Sequence, residues 1–352
     1  MKFGLMHLFQ QDPAKDTGDH AGKVIREAID QAIYAEELGF DRVWLAEHHF
    51  SPYGLVGSPL IAAAAIASAT DRIRIGTAVL VLPFYNPIRL AEDCALVDQI
   101  SEGRLDIGFG RGYQPAEFRR LGVPQSEARA RTEEAVGIMK LAWTREQFDY
   151  HGQFWNIDGA CVLPKPAQDP HPTLYQAAAS IDTFRRAGAT GSRILTSPNF
   201  TPLKTVKKQF GVYIDALVTA GYDPGGFDCP MLQQVFVGDD AQDAYNSARP
   251  YVEVMDRMKR TLLPGADGEA IAEGYESWAK ITASIGASDY AQRFREGGML
   301  GSVEDIRERL ARLQEEVGVT EFICQFNFGG ISPELVRRSM RRFAEEIMPA
   351  FK

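Results

Sequence analysis

The strongest constraint on this chain is a regular alternation of short apolar, β-rich runs with longer amphipathic stretches. Eight such runs stand at fairly even spacing, over residues 2–8, 42–46, 73–80, 105–109, 173–177, 193–196, 231–237 and 321–326. Apolar residues at helical spacing fill most of the intervals, over 22–38, 58–69, 87–100, 129–143, 183–189, 205–220 and 303–316, with 333–348 after the last run. Strand and helix in alternation give parallel strands joined by right-handed crossovers, and eight repeats is the number at which such a sheet closes on itself. The expected fold class is therefore α/β, a single (β/α)8 TIM barrel over residues 1–352. An open doubly wound sheet is the competing arrangement.

Two stretches break the rhythm. Residues 148–172 are rich in aromatics and then in proline, without helical periodicity, and predict a β-hairpin and an extended segment inserted before strand five. Residues 265–298 open and close on glycines around a helical centre, and predict a mobile excursion between strands seven and eight, where a lid is expected.

Composition sets the compartment and excludes several partners. Thirty-eight Lys and Arg against 47 Asp and Glu give a net charge of −9, with no long basic run to track a phosphate backbone, so nucleic acid is not an expected partner. The first residues turn polar by Gln10, and the apolar stretch 59–69 is far shorter than the roughly 20 residues of a membrane span. Four scattered cysteines form no CxxC pair, which points away from zinc and towards a reducing, cytoplasmic setting. Cys94 and Cys324 lie in apolar runs and read as core residues.

In a barrel of this type the chemistry sits just beyond the carboxyl ends of the strands. Strand two runs into Glu47-His48-His49, a carboxylate and two of the chain's six histidines. One His packing while the other is solvated is the plain structural reading; position favours function. A metal site is not expected, because neighbouring strand residues face opposite ways and no HxH or DxH pair completes a ligand set. Strand four ends in Gly108-Phe109-Gly110-Arg111-Gly112-Tyr113, where glycine admits a flat ligand close to the backbone and Glu117 is a possible carboxylate for Arg111. Strand five leads through Ala177-Ala178-Ala179-Ser180 into a helix whose free amides suit a phosphate; Ser180 also reads as a plain N-cap, and the two roles are compatible. Arg129 is a second cation for the same anion. Aromatics after strands three, four and eight, with Trp155, predict an aromatic rim around an apolar cavity.

VWLAEHHF, IGTAVLVLPFYNPIRLAED, GRLDIGFGRGY and FNFGGISPELVRRSMRRFAEEIMP occur in that order, and together they resemble the bacterial luciferase-like flavin monooxygenases, most weakly over 227–299. The resemblance implies a barrel, usually homodimeric, that takes reduced FMN from a separate flavin reductase. With O2 it forms a C4a-peroxyflavin and oxidises or hydroxylates an apolar, aldehyde-like small molecule. By the same resemblance Glu47, His48 and His49 are catalytic, with His48 the active-site base. Ala78 and Val79 form a non-prolyl cis peptide against the flavin, Gly110, Arg111 and Tyr113 contact the flavin, and Arg129 with Ala178, Ala179 and Ser180 holds its phosphate. Gly110 stands where light-emitting members carry a reactive Cys, which argues against light emission. The phosphate loop lacks their Glu-Ser pair, so affinity is expected to rest on backbone amides, Ser180 and Arg129, with FMN held weakly or only when reduced. A deazaflavin-dependent hydride transferase and a non-catalytic flavin binder are the alternatives on the same barrel. Helices 58–69 and 87–100, unusually apolar, are the expected dimer surface.

Overall fold

The structure, a computed structural model, describes residues 1–15, 20–198, 203–265, 271–287, 290–291, 294 and 298–352. Eight strands fall where the apolar runs predict them: β1 (Lys2–His7), β2 (Arg42–Leu45), β3 (Arg74–Thr77), β5 (Leu105–Gly110), β8 (Thr173–Ala177), β9 (Arg193–Leu195), β10 (Pro230–Val237) and β12 (Glu321–Gln325). Each pairs in parallel with the next, from β1 through β2, β3, β5 and β8 to β9. A Thr196–Met231 bridge carries the sheet on to β10, and β12 returns it to β1, so the ring closes as a barrel. Two short parallel strands were not foreseen: β4 (Leu80–Val81) lies on β5, and β11 (Met299–Gly301) extends β10.

Helices α1 (His20–Glu37), α2 (Pro59–Ala69), α3 (Pro87–Ile100), α5 (Ala128–Thr144), α6 (Ile181–Ala189), α7 (Leu203–Thr219), α10 (Val303–Val317) and α11 (Pro333–Arg342) follow the periodic stretches. The last of these continues as a π-helical turn over Phe343–Ile347, which buries Phe343 and Ile347. Their ends carry the expected chemistry. Asn86 accepts from the amides of Ile88 and Arg89 ahead of Pro87, and Ser302 with Asp305 forms a reciprocal capping box. Helices α4 (Pro115–Leu121) and α8 (Ala241–Leu262) add to the expected set.

The insertion before β8 is a hairpin, as expected, with β6 (Phe148–His151) antiparallel to β7 (Asn156–Ala160). The excursion after α8 contains helix α9 (Glu276–Ala287); residues 266–270, 288–289, 292–293 and 295–297 of that stretch lie outside the described residues.

Charges and rings together fill the amino-terminal half of the barrel. Arg42, 4% exposed, meets Glu321 at 2.6 Å and Asp106 at 2.8 Å, and Trp44 Nε1 donates to Glu321. Both carboxylates and the guanidinium are compensated, which a buried charge requires. Trp44 lies across Gly76, where a Cβ would come within 2.3 Å of the indole. Opposite this plug, at the carboxyl ends of the strands, the barrel holds a cleft. Among the described residues, no helix is long and apolar enough to cross a membrane.

Candidate active site

At the carboxyl ends of the strands the barrel opens into a cleft of about 270 Å3. The loop after β2 sets its chemical end. His48 lines the cleft and is 8% exposed. Its Nδ1 lies 3.2 Å from Glu117 Oε1, which only accepts, and 3.0 Å from the Gln114 amide nitrogen, which only donates; the tautomer in which Nδ1 donates to the carboxylate presents Nε2 as a base. The same carboxylate oxygen accepts from the His49 backbone amide at 2.8 Å, which ties the β2 loop to α4. The Tyr53 ring packs edge-on against the imidazole.

Glu47 also lines the cleft, yet its oxygens are committed to the protein. Oε2 accepts from Val81 N at 3.0 Å and from Tyr85 Oη at 2.7 Å, while Oε1 meets His49 Nε2 at 3.0 Å. The hydrogen bond to Glu47 raises the His49 pKa, and burial followed by the Glu47 charge raises that of Tyr85. Glu47 therefore anchors the Ala78–Val81 segment to the β2 loop. His49 turns away from the cleft into an outer groove that it shares with Phe50 and Gly57. Of the three residues expected to be catalytic, only His48 offers a ring nitrogen to the cleft.

One wall is flat. The Ala78–Val79 bond is cis, as the resemblance implies, and both residues line the cleft. Gly110 faces them: a Cβ there would lie 3.0 Å from Val79 Cγ2 and 3.4 Å from Ala177 Cβ, so a side chain would fill the slot. The slot fits a planar ring system.

The far end is cationic. Ser180 caps α6, accepting from Thr183 N, and Ala178, Ala179, Ser180 and Thr183 line the cleft there. Arg111 lines it as well. Burial lowers the Arg111 pKa, and the neighbouring Arg129 and Arg186 push it further down by repulsion. Arg111 and Arg129 beside the N-terminus of α6 fit an anion such as a flavin phosphate, while Arg186, in the last turn of the same helix, is paired with Glu133. Arg129 sits at the mouth rather than in the cleft lining, with Asp182 at 3.8 Å.

Arg111 does not pair with Glu117, contrary to the sequence expectation, because that carboxylate is taken by His48 and His49. It donates instead to the Gly274 carbonyl and lies over the Tyr275 ring at 4.2 Å. Gly274 has φ +81°, and a Cβ there would stand 3.2 Å from Arg111 Nη1, so glycine is required for this approach. Four residues beyond Gly274, Trp278 stacks on Tyr113 at 4.2 Å and 11°.

The aromatic rim also differs from expectation. Tyr53, Tyr113 and Trp278 form it. Phe326 packs on Phe40 and Phe343, Tyr85 reaches Glu47, and Trp155 lies near Arg131. Met6, Leu8, Leu232, Met255, Leu263 and Ile323 complete an apolar interior. Sequence reasoning missed Glu117 as the partner of His48; the available signal was its place one turn into a helix opened by Pro115 directly after strand four. Among the described residues, no group of three or more His, Cys, Asp and Glu is arranged to hold a metal.

Comparison with known proteins gives a consistent picture. A family model described as luciferase-like monooxygenase matches residues 1–321. The alkanal monooxygenase alpha chain of Photorhabdus laumondii is 27% identical over 359 residues, covering 100% of this chain and 98% of the relative. The oxygenase component of the flavin-dependent trigonelline monooxygenase of Acinetobacter baylyi is 26% identical over 338 residues, covering 92% and 89%. Among solved structures, the monooxygenase RslO1 of Streptomyces bottropensis superposes with a TM-score of 0.84 at 28% identity, each chain covered in full.

Proposed function

The chain belongs to the luciferase-like monooxygenase family, and from that premise we propose that it is the oxygenase of a two-component system that takes reduced FMN from a separate flavin reductase. The whole of residues 1–352 acts as one barrel domain, on an apolar small molecule with aldehydes the first class to test. The observation that carries this reading is the convergence at one cleft of an imidazole base, a flat slot and Arg111, with Arg129 at the mouth, beside a helix N-terminus. Their order matches a flavin laid with its ring in the slot and its phosphate at α6.

Bound reduced flavin supplies the electrons that split dioxygen, one atom passing to the substrate and the other leaving as water. The chain's own residues bind, orient and shield. Arg111, Arg129 and the Ser180 turn hold the phosphate; Ala78, Val79 and Gly110 confine the ring. His48, protonated at Nδ1 through Glu117, accepts or returns a proton at Nε2. Glu47 and His49 hold the wall and the loop in register. The apolar lining keeps water from the reacting centre.

Two further parts of the reading concern its setting. Ile61 of α2 is 74% exposed and Leu96 of α3 is 50% exposed, and these faces form the contact of a homodimer. The four cysteines are free thiols, three of them buried, which suits the reducing cytoplasm.

The test is an anaerobic titration with reduced FMN, followed by rapid mixing with oxygen while flavin absorbance is recorded. A long-lived intermediate phase before oxidised FMN appears, shortened by the right substrate, supports the oxygenase. Oxidation at the free-flavin rate, or no binding, returns the barrel to the deazaflavin or non-catalytic alternatives.

A further inference from the structure

We propose that Tyr113 is a positioning residue for His48, and that Trp278 holds Tyr113 in the pose that makes it one. The inference rests on the oxygenase reading for its catalytic meaning, but not for its geometry. Tyr113 Oη lies 3.4 Å from His48 Nε2, the ring nitrogen left with a lone pair once Nδ1 is committed to Glu117. The two rings meet edge-on, with centroids 5.8 Å apart and planes at 76°. On its other side the phenol ring is covered by the Trp278 indole, nearly parallel at 4.2 Å.

Trp278 comes from the same short segment that supplies Gly274 and Tyr275 to Arg111. Its backbone amide donates to the Tyr275 carbonyl at 3.0 Å, so the two contacts are coupled through one turn of chain. A single segment thus touches both the cationic and the basic end of the cleft.

The groups facing His48 define what Tyr113 does. They are Glu117 and Gln114 at Nδ1, the Tyr53 ring against its face, and Tyr113 at Nε2, while Glu47, next in sequence, is turned to His49. With neutral His48, the Tyr113 hydroxyl donates to Nε2. When Nε2 gains a proton from the reacting group, that N–H donates to Tyr113 Oη, whose own proton turns to Tyr53, with which it shares a hydrogen bond. One proton arrives at His48 and none leaves Tyr113. Burial, Tyr53 and Glu117 hold the Tyr113 pKa well above 10, so the phenol stays protonated throughout and acts on His48 by orientation.

The experiment follows the His48 ring by NMR in the full-length chain labelled with 15N-histidine, without flavin, the signal being assigned by its loss in His48→Asn. In Tyr113→Phe the His48 titration midpoint moves by half a pH unit or more. Trp278→Ala moves it in the same way, while Trp278→Phe, which retains a stacking ring, keeps the wild-type midpoint. In oxygenation assays Tyr113→Phe lowers the productive rate at least tenfold with reduced-FMN affinity within twofold, and the double variant Tyr113→Phe/Trp278→Ala is no slower than Tyr113→Phe alone. An unchanged midpoint in Tyr113→Phe, or additive losses in the double variant, overturns the proposal. If the wild type fails to oxygenate with reduced FMN while the His48 midpoint still responds, the oxygenase reading falls and the Tyr113–His48 pairing stands.

Discussion

The two ends of the cleft are built on opposite plans. At the basic end both oxygens of Glu47, Oε1 of Glu117 and the Nδ1 of His48 each have a protein partner within 3.2 Å, from β4, α4 and the loops after β2 and β4. At the cationic end Arg129 repels Arg111, and the two lean only on a backbone carbonyl of the excursion and on Asp182, itself 55% exposed. Folding alone completes the first end. The second is completed by an anion from outside. Preorganised groups act without reorganising when a reaction occurs, whereas cations held by no more than a carbonyl and an exposed carboxylate lend their energy to binding an anion. Chemistry and affinity are thereby assigned to separate residues, and each can be broken without the other.

The largest effect should come from the basic end. His48→Ala is expected to lower productive oxygenation by about 100-fold or more, the range of a lost general base, while reduced FMN still binds; stopped-flow rates and an anaerobic titration read the two separately. Arg111→Ala is expected to do the reverse. It should weaken reduced FMN by about 10- to 100-fold, as for loss of a charge-assisted hydrogen bond, with a shallower salt dependence of binding and an unchanged rate at saturating cofactor. Parallel losses of rate and affinity in both variants would erase the distinction between the ends.

Histidines outside the reacting position sharpen the same contrast through pH. His7 is fully buried at the end of β1 with no hydrogen-bond partner for either nitrogen, and burial lowers its pKa from 6.5 to about 3. Below pH 6.5 the unfolded chain gains a proton that the folded chain refuses, so stability falls as pH drops from 6.5 towards 3. His7→Leu should flatten that slope, by up to about 3 kcal/mol at pH 4, in urea unfolding. His49 has the opposite sign. Its pKa is raised by Glu47, so its contribution is fully present below the unfolded value of 6.5 and is lost as pH rises through the folded value. Glu47→Gln should remove this smaller term, which urea midpoints across pH 6 to 8 would show.

The barrel was legible because parallel strands buried on both faces leave continuous apolar runs, and all eight runs became strands. Helix α8 was not, although Ala244, Ala248, Val252 and Met255 keep helical spacing, because Pro250 and dense charge interrupt the pattern. In the cleft, strand-end position correctly brought His48, Gly110, Arg111, Tyr113 and Ser180 together. It also misassigned Phe326, since a strand-end ring turns either to the cleft or to the helices, and this one packs on Phe343. Glu117 and Trp278 lay beyond its reach. Each acts on a partner distant in sequence, His48 and Tyr113, and only the closed barrel and the folded-back excursion bring them into contact.

The most direct measurement compares reduced FMN with reduced riboflavin in anaerobic titrations of the wild type and Arg111→Ala. The two-ended cleft requires the wild type to prefer FMN by at least about tenfold, the preference to collapse in Arg111→Ala, and His48→Ala to retain it. Equal affinity for the two flavins in the wild type would contradict the account, because the cationic end would then not be reading a phosphate.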